Sequence, residues 1–162
     1  MPLFEIASAA HLTGSLVLAL FFILLARHDP RPYLRTWTAA WVAQVVALAV
    51  LLVSLREDWH TSLSLYLFLE AGHGLLILAA ARNYARSTTL GRRHALAALV
   101  LAAWAGVAPW LFAEDRLLYA AQFVWLAWFY IAAAATLWPL REPAGMGLRL
   151  TTSVLEIGRA HV

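Results

Sequence analysis

The 162-residue chain has no cysteine and no lysine, and only 13% of its residues are charged. Without cysteine there can be no disulfide framework, thiolate metal site or cysteine nucleophile. So little charge also rules out a water-covered surface. Soluble domains carry roughly 25% charged and about 45–50% apolar residues, whereas 63% of this chain is hydrophobic. The chemistry-bearing motifs are missing as well. There is no His-Glu-x-x-His, no glycine-rich phosphate loop after a strand, and no nucleophile with a base and an orienting partner. No catalytic residue, metal site or cofactor is assigned within the chain, and no nucleic-acid partner is expected. No internal repeat is visible.

The sequence does contain long apolar runs. They cover Ile6–Ala26, Leu34–Leu55, Leu63–Ala81, Ala95–Phe112 and Leu117–Trp138, each close to the roughly 20 residues needed to cross a bilayer. "GMGLRLTTSVL" opens a sixth. The fold class is therefore all-α, a polytopic transmembrane helix bundle of five spans plus the start of a sixth, with the lipid bilayer as its first partner. The first run is not a cleaved signal peptide, because "MPLFE" offers Glu5 where such a peptide needs basic residues. Pro30 and Pro32 break the chain between the first two spans, and Pro139 and Pro143 close the fifth. Ala98, Ala102 and Gly106 recur every four residues. This pattern either lets a second helix approach closely or marks an alanine-rich face turned to lipid.

Arginine placement sets the orientation. One set of alternate loops holds Arg27, Arg31 and Arg35, then Arg82, Arg86, Arg92 and Arg93, then Arg141 and Arg149. The other holds only Arg56, beside Glu57 and Asp58, and Arg116, beside Glu114 and Asp115. The positive-inside rule puts the first set in the cytoplasm and the N-terminus outside. Trp37 and Trp138 then fall near the inner face, Trp59 and Trp110 near the outer one, as expected of interfacial rings. The exclusive use of arginine and the abundance of Ala and Leu suggest a GC-rich bacterial genome, hence the bacterial inner membrane.

The end of the chain breaks the pattern. A sixth span is cut to about half its length, and Ile157 to Val162 follows. The codons ATC-GGA-AGA-GCA-CAC-GTC, the start of a widely used sequencing adapter, encode that hexapeptide. The expected division is residues 1–155 as a truncated membrane region and 156–162 as a non-native tail, so Arg159 and His161 carry no functional argument.

Ionisable groups in hydrocarbon cost about 2.5–3.5 kcal/mol on insertion scales, so each needs a reason. The candidates are Glu70 and His73 on the third span, His11 on the first, Gln44 on the second and Gln122 on the fifth. In "FLEAGHGLL", Glu70 and His73 stand three apart and share a helix face, with Gly72 and Gly74 permitting a close approach. The group could bind a small ligand from outside or titrate as a pH sensor. It could also hold a metal or haem, although carboxylate sites need paired Glu-x-x-His copies. Alternatively, Glu70 is protonated and bonded to Gln44 or His11, and simply holds the bundle together.

In "ARHDPRPYLRTWTAAWVAQVVALAVLL", Arg31, Tyr33, Leu34, Arg35, Trp37 and Trp41 spell R-x-Y-L-R-x-W-x-x-x-W. In "LEAGHGLLILAAARNYA", a Glu and glycines precede the R-x-Y of Arg82 to Tyr84. This pattern resembles the N-terminal multi-span modules of bacterial sensory diguanylate cyclases with a C-terminal GGDEF domain, and of some sensor histidine kinases. The resemblance implies a sensory input region that regulates a cytoplasmic output domain outside this sequence, an unknown small ligand or membrane signal, and a homodimer formed through that output domain. It supplies no catalytic residue here. A fragment of a small-solute transporter is the competing class. Transporters tend to show repeat halves and helices broken at mid-membrane, whereas the prolines here fall near span ends.

Overall fold

A computed structural model of the chain describes residues 2–54, 59–87, 91–112 and 115–141. Among them are five α-helices: α1 (Pro2–His28), α2 (Pro32–Ser54), α3 (Trp59–Arg86), α4 (Arg92–Leu111) and α5 (Asp115–Leu137). A short 3-10 turn, Trp138–Arg141, follows. All five helices are long and apolar enough to cross a membrane. The fold is an all-α helical bundle, as the runs predict. The expected sixth span and the tail at 156–162 lie outside the described residues.

The helices outrun the apolar windows. α3 extends beyond Ala81 through Arg82, Asn83, Tyr84 and Ala85 to Arg86. Hydropathy reports where lipid contact ends, not where helical hydrogen bonding ends, and these polar residues are compatible with a helix. Ser87 stops it. Its φ of 52° is left-handed, and its N–H closes on the Asn83 carbonyl at 2.8 Å, a single-bond C-terminal cap. Pro32 opens α2, where its missing N–H costs nothing. Pro109 lies inside α4, two residues before the helix ends at Leu111.

α3 is the hub. It packs against α2, α4 and α5, while α1 packs on α2. In the central window of α3, 61% of residues are buried, against 11% in α1. Side-chain pairs give the directions. Ala40 meets His73 and Tyr33 meets Tyr84, so α2 and α3 are antiparallel. Leu67 meets Gln122 and His73 meets Tyr130, so α3 and α5 are parallel. One apolar cluster joins Leu48 and Leu51 of α2, Leu63 and Leu67 of α3, Ala105 and Ala108 of α4 and Leu118 of α5.

Burial bears on two sequence expectations. Ala102 and Gly106 are exposed, and a Cβ on Gly106 would meet nothing within 4 Å. Ala102 and Gly106 therefore turn outward, whereas Ala98 is half-buried against the cluster around Leu78 and Phe129, and the buried face of α4 runs through Leu101, Ala105, Ala108 and Pro109. Trp110 and Trp138 are exposed at opposite ends of the bundle, as interfacial rings should be. Trp37 is half-buried. It lies between helices, against Phe22 (5.7 Å) and Tyr84 (6.2 Å between ring centres). Trp59 carries no described side chain.

Candidate functional site

Among the described residues, the buried polar side chains are Ser8, Ser15, Gln44, Glu70, His73 and Gln122. Four of the five sequence candidates are in this set. The fifth, His11, is exposed on α1. The buried stripe of α1 runs through Ser8, Ser15 and Ala19, and His11 stands off it. It makes no hydrogen bond to the layer around Glu70, but it stands close enough to His73 to act on it electrostatically.

His73 joins three helices. Its Nδ1 lies 2.9 Å from the Ala40 carbonyl of α2, and its Nε2 lies 2.7 Å from the Tyr130 hydroxyl of α5. A carbonyl oxygen can only accept, so Nδ1 carries a proton. In a neutral imidazole, Nε2 is then the acceptor and Tyr130 the donor. Trp41 sets its ring edge-on to the imidazole at 5.1 Å. Both ring nitrogens are engaged, so a metal could be ligated only by breaking one of these bonds.

Gln122 makes the second junction. Its Nε2 donates to the Leu67 carbonyl of α3 at 3.1 Å, and its Oε1 accepts from the Trp104 indole of α4 at 3.2 Å. Next to it, Glu70 Oε1 accepts from the Tyr66 hydroxyl one turn earlier on α3, at 2.7 Å. The Gln122 amide stands beside the same carboxyl.

Two oxygens remain. Glu70 Oε2 and Gln44 Oε1 are buried, and neither has a hydrogen-bond partner. Gln44 lies one turn from Ala40 on α2, and Glu70 about one turn from His73 on α3. With the antiparallel register pinned at Ala40–His73, the two residues fall at the same depth along the α2–α3 interface. Both free atoms are acceptors when Glu70 is ionised, a costly arrangement in a low-dielectric interior. A donor brought to them removes the cost, whether a proton on Glu70 or an N–H or O–H of a ligand.

The glycines around His73 differ. A Cβ on Gly74 would come within 2.9 Å of Phe129 Cδ2 and 3.2 Å of Leu126 Cδ2, so α5 approaches α3 closely there. A Cβ on Gly72 would meet nothing within 4 Å.

Sequence reasoning did not find Tyr66, Tyr130, Trp104 or Trp41. Tyr66 had a local signal, since it precedes Glu70 by one helical turn. The other three reach the layer only through tertiary packing. The aromatic positions of the two quoted patterns also meet in space. Tyr33 and Trp37 of α2 contact Tyr84 of α3, at 5.0 and 6.2 Å. Among the described residues, no group of three or more His, Cys, Asp or Glu could hold a metal ion. Comparison with protein-family models, curated proteins and solved structures finds no match to the chain.

Proposed function

We propose that the chain is a membrane-embedded input module. In this reading its buried polar layer receives a small ligand or membrane signal and controls a cytoplasmic output domain, a diguanylate cyclase that makes cyclic di-GMP. The observation that carries the reading is the pair of buried, unpartnered acceptor oxygens on Glu70 and Gln44. His73 and Gln122 satisfy their polar groups within the bundle, whereas this pair needs a further donor, a proton on Glu70 or a group of a ligand. Buried polar groups in native proteins are overwhelmingly bonded, and ionisable ones inside membranes mark functional sites by default. The layer sits on α3, which packs against three other helices, so a change there reaches most of the bundle.

The choice of output rests on the resemblance of the α2 and α3 patterns alone. A histidine kinase would suit the same input. In this reading the N-terminus lies outside, which the arginine asymmetry supports, the membrane is a bacterial inner membrane, which the composition suggests, and a homodimer forms through the output domain. A transporter would favour helices broken at mid-membrane, and Pro109 lies too near the end of α4 to make one.

The test is the sequence of the natural gene past codon 155. The reading expects that gene to encode a GGDEF domain. That product, expressed in cells, should raise cyclic di-GMP. A complete transporter would overturn the sensor.

A further inference from the structure

A second feature lies away from the polar layer, at the arginine-rich end of the bundle. α4 opens with Arg92 and Arg93, and the apolar side chains of Ala95, Leu96 and Leu99 follow. These five residues line a groove of about 350 Å³. Leu96 and Leu99 are 64% and 67% exposed. Positions 92, 95, 96 and 99 share one helix face, so a guanidinium sits directly above an apolar wall that runs from the helix end towards its middle.

The electrostatics of this end are one-sided. Its one carboxylate among the described residues is Asp29, which Arg31 engages at 2.8 Å. Arg82 of α3 adds a third cation close to His94, in the first turn of α4. Gly91, which precedes the helix, gives that turn no side-chain acceptor, and its own N–H points to His94 Nδ1 at 3.2 Å. The positive end of the α4 dipole therefore adds to the arginines.

We infer that this groove binds an anionic phospholipid, with the phosphate against Arg92 and Arg93 and an acyl chain along Ala95, Leu96 and Leu99. Its occupant must be anionic at one end, apolar along its length, and resident where a spanning helix leaves the bilayer. A phospholipid meets all three conditions. An acidic peptide would meet the arginines but not a wall that faces hydrocarbon. Guanidinium groups match phosphate oxygens in a two-pronged geometry, and basic pockets beside spanning helices take anionic headgroups. The inference does not depend on the sensor reading.

The test uses the whole chain in a neutral detergent, titrated with lipid and followed by native mass spectrometry. Phosphatidylglycerol should bind about 30-fold more tightly than phosphatidylcholine with the same chains, taking the usual contribution of two surface arginines. Arg92→Gln with Arg93→Gln should abolish most of that preference. Leu96→Asn with Leu99→Asn should weaken both lipids. Arg27→Gln with Arg35→Gln removes equal charge from the same end away from the groove, and should leave the preference intact. Helicity by circular dichroism checks that each variant is folded. Equal loss in the Arg27 and Arg35 variant would show a general positive field, and the site would fall. Glycerol phosphate, a headgroup without chains, should not compete. If it competes as well as the lipid, the groove is a simple anion site and the lipid assignment fails.

Discussion

Replacing His73 and Tyr130, singly and together, tests whether the polar layer joins α3 to α5 as described. Tyr130→Phe removes one hydroxyl, and with it the 2.7 Å bond to His73 Nε2. Interhelical side-chain hydrogen bonds in membrane proteins average about 0.6 kcal/mol and reach about 1.7, so this variant should lose an amount near the lower figure. His73→Leu keeps an apolar side chain in the space but also breaks the 2.9 Å bond to the Ala40 carbonyl. With two bonds lost, it should cost about 1–3 kcal/mol. The Ala40 carbonyl keeps its helical partner, whereas Tyr130 is 45% exposed and its hydroxyl can turn elsewhere, which limits the loss. The informative quantity is the coupling. Reversible unfolding in mixed micelles should show the double variant less destabilised than the sum of the singles by about 0.6 kcal/mol. Strict additivity would mean that no bond links these two residues, and the account of His73 as a three-helix junction would be wrong.

Three further outcomes follow from the same contacts. Gly74→Ala should destabilise the bundle by about 1–3 kcal/mol through overpacking, because its Cβ meets Phe129 at 2.9 Å. Gly72→Ala, with nothing within 4 Å, should be neutral or stabilising by up to about 1 kcal/mol; thermal unfolding in detergent compares them. For topology, single cysteines can be introduced without background labelling, since the chain has none. On intact cells, an impermeant thiol reagent should label a cysteine at the exposed Thr61 and not one at the exposed Ser87; the reverse would overturn the orientation. Gln122→Leu removes both its bond to the Leu67 carbonyl and its bond from Trp104, and should cost about 1–3 kcal/mol. Trp104→Phe removes one of the two and should cost less in the same unfolding assay.

Much of the fold was legible because spans are written in composition. A run of some 20 apolar residues needs no partner to be recognised, and the breaks at Pro30 and Pro32 are local chemistry. The ends of α3 were not legible from hydropathy, because Arg82 to Arg86 stay helical after leaving the apolar window. Within the site, Glu70 and His73 stood out as ionisable groups in an apolar run, and their spacing placed them on one face. Gln44 and Gln122 were visible for the same reason. The pairing was not visible. His73 bonds to a backbone carbonyl 33 residues away and to a hydroxyl 57 away, and no local pattern encodes either partner. His11 is the converse case. An ionisable residue in a span suggests an inward face, but the buried stripe of α1 is made of small residues, Ser8, Ser15 and Ala19, and His11 falls beside it. The alanine stripe of α4 was likewise ambiguous, because small residues suit close packing and lipid contact equally.

The central claim is that Glu70 receives a signal instead of only bonding to its neighbours, and one pair of substitutions in the full-length protein tests it most directly. Glu70→Gln preserves shape and can still accept from Tyr66, but it cannot ionise. Glu70→Leu removes every polar contact. Output activity is measured with and without stimulus and across external pH, beside detergent stability. The account predicts that Glu70→Gln inserts and folds normally yet alters the response, while Glu70→Leu also loses stability, by about 0.6 kcal/mol and at most a few times that. A normal response in Glu70→Gln, with a loss of stability confined to Glu70→Leu, would contradict the claim and leave Glu70 as a structural residue.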